Sequence, residues 1–107
     1  QLLTTYDFSF MLSQIYYIAR SKSDGSYLVA RVNRDVAEKN TGYLLLFSEH
    51  FEALTYLNTH AAGVADQFAI ESIPGTQLGA LLKRWNFIGV GIVRDPLLPK
   101  IEFLICD

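Results

Sequence analysis

The sequence predicts an α+β domain in which two helices pack on one face of a mixed, largely antiparallel sheet of about five to six strands. Three observations carry that reading. Residues 43–47 read YLLLF, an unbroken apolar and aromatic run, and a strand needs such a run only where both of its faces are covered. Leu78, Leu81, Leu82 and Trp85 recur at i, i+3, i+4 and i+7, which sets them on one stripe of a helix. Short apolar segments bounded by turn residues, at 15–20, 27–32, 68–73, 87–93 and 100–106, supply the remaining strands. The predicted order is β-β-β-α-β-α-β-β, as a single domain over residues 1–107.

Residues 1–14 are largely apolar without clean periodicity. They are expected to form a loosely packed N-terminal extension, with Met11 as an internal start. Residues 15–20 and 27–32 are rich in aromatic and β-branched types. The SKSDGS between them is turn chemistry with Asp24-Gly25 at its tip, so the pair reads as a β-hairpin. Pairing across that loop places Tyr16, Ile18 and Arg20 on one amphipathic face with Tyr27, Val29 and Arg31. Tyr17, Ala19, Leu28, Ala30 and Val32 on the other face carry no charge and are expected in the core.

Residues 33–41 form a polar connection into the central strand. Ser48 then stands where a hydroxyl can cap a helix. Glu49 and Glu52 fall in the first turn, where the helix dipole favours negative charge. Phe51, Leu54 and Leu57 are the expected core stripe, and the helix is expected to end near Gly63. The strand 68–73, FAIESI, has Glu71 as its exposed marker. Pro74-Gly75-Thr76 leads into the second helix, which Gly79 weakens by about 1 kcal/mol. Lys83 and Arg84 complement its C-terminal dipole, and Asn86 suits a left-handed stop. In the strand 87–93, FIGVGIV, Gly89 and Gly91 share one face and leave a shallow trough. The last strand, KIEFLIC, alternates Ile101, Phe103 and Ile105 with Glu102, Leu104 and Cys106.

The chain has 107 residues, half of them apolar and 19% charged, which argues against disorder. Its longest apolar runs are about five to seven residues, far short of the roughly 20 that a membrane-spanning helix needs, so no membrane partner is expected. The opening stretch lacks a basic region and carries Asp7, unlike a secretory signal. A net charge of −2 gives no global pull toward nucleic acid. The lone cysteine, Cys106, allows neither an internal disulfide nor a cysteine-rich metal site, and a reducing cytoplasm is the expected compartment.

The residues that could carry chemistry are scattered. His50 and His60 stand near opposite ends of one predicted helix and cannot share a metal. Ser48 lies in FSEHF, without the flanking glycines of a nucleophile elbow. Cys106 has no basic neighbour in sequence to lower its pKa. The Gly-x-Gly of residues 89–91 lies inside a strand, whereas a dinucleotide site needs it in a strand-to-helix loop. The expectation is therefore no catalysis, no cofactor and no metal.

Two functional readings follow. The leading one is a non-catalytic protein-interaction or accessory domain using Tyr16, Arg20, Tyr27 and Arg31, with Lys22 and Arg34 nearby. Tyr and Arg combine large contact area with directional donors, as interface anchors do. Asp24, Asp35 and Glu38 interrupt this basic run, which disfavours a nucleic-acid partner; a homodimer stays open. The alternative is a small-ligand sensing domain, with Gly75 and Thr76 at a helix start, or the Gly89 and Gly91 trough, as the contact.

The stretch LLLFSEHFEALTYL and the later LLKRWNFIGVGIVRDP resemble the SseB-type N-terminal domain, a small bacterial α+β family. In that family an apolar strand ends in Phe-Thr/Ser before an acidic, apolar-faced helix. A second helix later leads into a Gly-Val strand ending near a proline, where this chain has Arg94-Asp95-Pro96. The resemblance runs from about residue 43 to 96, about half the chain. It implies a non-enzymatic domain used in protein contacts and supplies no catalytic residues.

Overall fold

The YLLLF run lies at the centre of a four-stranded sheet. The computed structural model describes residues 9–31 and 42–105. β3 (Tyr43–Leu46) pairs antiparallel with β2 (Val29–Ala30) and parallel with β5 (Gly89–Asp95), and β6 (Lys100–Ile105) closes the far side antiparallel to β5. β1 (Ile15–Ser21) and β4 (Phe68–Pro74) form a second, two-stranded antiparallel sheet. The helices are α1 (Ser9–Leu12), α2 (His50–His60) and α3 (Leu78–Trp85). The α+β class, the order of the main elements and the mostly antiparallel pairing agree with expectation. The strands divide between two sheets where one was expected. They are tied by Tyr17 and Phe47, which exchange both backbone hydrogen bonds at 2.8 and 2.9 Å.

The helices cover opposite faces of the four-stranded sheet, not one face as expected. The cause is already in β3, whose residues are apolar on both sides. Leu44 and Leu46 pack with Val90, Ile92 and Leu104 beneath Leu78 and Leu82 of α3. Leu45, Phe47 and Val93 pack on the other side against Ala53 and Tyr56 of α2. Each such side chain contributes on the order of 1.5–3 kcal/mol when fully buried, so leaving either face bare would cost more than any helix propensity could return.

The same packing shifts the phase of α2. Ala53 and Leu57 are buried, whereas Phe51 and Leu54, expected in the core, are 64% and 43% exposed. A small residue at Ala53 lets the helix lie close, and Tyr56 then reaches Phe47 at a ring separation of 5.5 Å. Glu49, not Ser48, is the N-cap, and it makes no side-chain capping bond. The helix ends at His60, and Gly63 falls in a following 3₁₀ turn, Ala62–Gln67. In α3 the expected ending holds: Asn86 adopts φ 59° in the left-handed region. Trp85, expected in the core, lies at the rim and is 37% exposed.

The expected hairpin is present only at its turn. Asp24 Oδ1 accepts from the Ser26 N–H at 3.0 Å and the Ser26 hydroxyl at 2.8 Å, and Gly25 takes φ 74°. The ladder stops after the Arg20–Tyr27 bridge, because residues 28–30 turn away to pair with β3. β1 instead finds its long partner in β4, from Ile15 opposite Pro74 to Ser21 opposite Phe68. Of the loose extension expected over residues 1–14, residues 1–8 lie outside the described ones, while Met11 and Gln14 are held against the domain. Met11 is 3% exposed in the core, and the Gln14 carbonyl accepts from the Gly75 N–H at 2.7 Å. Among the described residues no helix is long and apolar enough to cross a membrane. The polar connection with Arg34, together with Val32 and Cys106, lies outside the described residues.

Candidate functional site: a groove between α3 and the two-stranded sheet

α3 sends Leu78 and Leu82 into the core, and a second stripe flanks it. Gln77, Ala80, Leu81 and Arg84 follow at i, i+3, i+4 and i+7, so they line one side of the helix. That side faces the β1–β4 sheet across a groove of about 360 Å³. Ile18 and Ile73 form its apolar floor, Glu71 and Ser72 its sheet-side lip, and Tyr27 closes one end. Tyr27 is braced by Trp85, edge to face at 5.3 Å, and Trp85 stacks on Phe87 at 6.3 Å.

Charge at the groove is mixed: Arg84 and Glu71 line it, and Arg20 stands beside its Tyr27 end. Arg20 donates through Nε to the Gly25 carbonyl at 3.0 Å and lies 5.0 Å over the Tyr27 ring. It also faces Glu71 at 3.9 Å. Both ends of that ion pair are well exposed, so it contributes little to stability. Arg84 has no ion-pair partner among the described residues. The site is thus an apolar floor with Tyr27 and Arg84 at its rim, Glu71 at its lip, and Arg20 behind Tyr27.

Of the four residues expected to form a partner surface, the structure brings two together there, Arg20 and Tyr27. Arg31 is exposed just past β2, on the segment that has left Tyr27 for the other sheet. Tyr16 does not belong to any surface: it is 3% exposed, packed with Ile18, Ile73 and Leu78. Along β1 alternation does set Tyr16, Ile18 and Arg20 on one face, but that face is the one that α3 covers, and Val29 and Arg31 do not join it. Burial pushes the Tyr16 phenol above its ordinary pKa, with Arg94 pulling it partly back. A raised pKa means stability that is intact below the unfolded-state value of about 10 and lost as pH rises through the folded value. Tyr16→Phe should therefore lose less stability than the wild type between pH 8 and pH 11. Urea unfolding at both pH values checks this, and equal losses would show that Tyr16 does not titrate on unfolding.

The residues expected to hold a small ligand do not line this groove. Gly75 is buried, and a Cβ there would run into the Met11 carbonyl; Thr76 is exposed beside it. The trough over Gly91 is filled from within, since a Cβ would sit 3.0–3.1 Å from Ile101, Leu45 and Phe103 side chains. A Cβ at Gly89 would meet the Leu104 carbonyl. His50 and His60 are engaged locally, His50 with the Tyr17 ring and His60 with the Pro96 carbonyl at 2.8 Å. Among the described residues no group of three or more metal-ligating side chains converges.

Of the groove residues, Gln77 and Ala80 do not stand out in the sequence, and Glu71 and Arg84 stand out only as an exposed strand marker and a dipole partner. Their signal was faint: a second stripe beside the obvious one on α3, with Arg84 already accounted for by the helix dipole. Compared with known proteins, the chain matches no family model, no curated protein and no solved structure.

Proposed function

We propose that the chain is a non-catalytic protein-interaction domain whose partner docks in the groove between α3 and the β1–β4 sheet. The observation that carries this is the open groove itself, an apolar floor rimmed by Tyr27 and Arg84, with Arg20 stacked behind Tyr27. Tyr and Arg set around an apolar centre are the residue types on which binding energy concentrates. The resemblance to the SseB-type domain points the same way, and a cytoplasmic protein partner suits it better than nucleic acid, because Glu71 stands among the cations. Ala80→Arg would fill the groove from an exposed helix position. It should abolish affinity capture of the specific partner while changing stability by no more than about 0.5 kcal/mol. An unchanged set of captured proteins would sink the proposal.

One observation favours a second reading. A volume of about 360 Å³ lies at the lower end of the roughly 300–1,000 Å³ typical of small-molecule sites. A metabolite that raises the melting temperature of the wild type but not of Ala80→Arg would put small-ligand sensing in place of protein docking.

A further inference from the structure

The ladder between β1 and β4 fixes which backbone groups β4 leaves over. In an antiparallel pair, residues bonded to the partner strand alternate with residues whose N–H and C=O point away from it. Both ends of this pair set the phase: Lys22 N–H donates to the Gln67 carbonyl at 2.9 Å, and Gly75 N–H to the Gln14 carbonyl at 2.7 Å. Counting by twos between them, Ala69, Glu71 and Ile73 bond to β1, while Ile70 and Ser72 point outward. β1 obeys the same alternation on its other side. There Tyr17 exchanges both bonds with Phe47, and the Ala19 carbonyl accepts from Leu28 at 2.9 Å. Among the described residues nothing bonds to the backbone of Ile70 or Ser72, and β4 has no second neighbour in its sheet. Pro74, the next outward position, has no N–H to offer.

An open strand edge is a template for another strand, and this one borders the groove, whose lip is formed by Glu71 and Ser72. We infer that β4 accepts an extended, acidic segment of a partner protein as an added strand, with α3 as the facing wall. This rests on the protein-interaction reading above and specifies its chemistry. Main-chain bonds to Ile70 and Ser72 hold the segment, and its alternate side chains enter the groove beside Glu71 and Ile73. The floor of Ile18 and Ile73, with Leu81 on the wall, takes an apolar side chain. Glu71 is engaged by Arg20, whereas Arg84 has no ion-pair partner among the described residues, so the complementary charge on the segment is a carboxylate near Arg84.

The test uses the 107-residue chain and random displayed peptides of about nine residues, long enough to run the length of β4. Selection should enrich sequences that carry apolar residues and an Asp or Glu at positions two or four apart, on the one face that enters the groove. A synthetic peptide of the enriched sequence should slow hydrogen exchange of the Ile70 and Ser72 amides. Ser72→Pro removes one outward donor while sparing the bonds to β1, and should weaken the peptide by about tenfold. Should that variant unfold, Arg84→Glu and the exchange measurement on the wild type decide the matter. No enriched sequence, or a peptide that leaves both amides exchanging as in the free chain, overturns the inference. So does protection of both amides before any peptide is added, which would mean that the chain itself or a second copy already covers the edge. Binding lost in Ala80→Arg but kept in Ser72→Pro, with the amides unprotected, overturns strand addition and leaves the groove reading standing. Binding kept in both variants overturns the two together.

Discussion

Phe47→Ala is expected to remove about 3–5 kcal/mol of unfolding free energy, whereas Leu54→Ala should cost about 0.5 kcal/mol or less. Phe47 is fully buried where three elements meet: it bridges to Tyr17 of β1, extends β3, and carries the ring on which Tyr56 of α2 rests. Truncation would leave a cavity that rigid strands on one side and a helix on the other cannot close. Leu54, one position from buried Ala53 in the same helix, points outward. Urea denaturation of both variants measures the contrast. Comparable losses would mean that α2 presents a different face to the sheet.

Gly89→Ala is expected to destabilise the chain by about 1–3 kcal/mol, more than Gly91→Ala. At Gly89 the new methyl would meet the backbone carbonyl of Leu104, which is part of the β5–β6 ladder and cannot turn aside. The two strands would have to separate there. At Gly91 the neighbours are side-chain atoms of Ile101, Leu45 and Phe103 at 3.0–3.1 Å, which can give by a few tenths of an ångström. Thermal unfolding should rank Gly89→Ala below Gly91→Ala, and the reverse order would contradict the spacing of β5 and β6. Both glycines are thus packing devices, which removes the trough as a ligand site on physical grounds.

Local chemistry determined much of this molecule. The Asp24-Gly25 turn, the left-handed stop at Asn86 and the strand of residues 68–73 each follow from neighbours in sequence. Turn, cap and period depend on side chains reaching their own backbone or on the repeat of one element. The central place of β3 followed from YLLLF in the same way, and that run already contradicted two helices on one face.

Tertiary structure decided what faced what. β1 pairs with β4 and not with its neighbour across the turn, because residues 28–30 complete the side of β3 that β5 leaves open. That exchange put Tyr16 under α3 and left Tyr27 at the rim. α2 turned by one position because Ala53, the least conspicuous apolar residue in its sequence, allows the closest approach to the sheet. The groove belongs to no single segment: β1 and β4 give its floor, α3 its wall and the turn after β1 its end. A sequence displays the periodicity of each element, but which of two apolar faces is covered depends on partners far along the chain, and a site made at their junction exists only once they have packed.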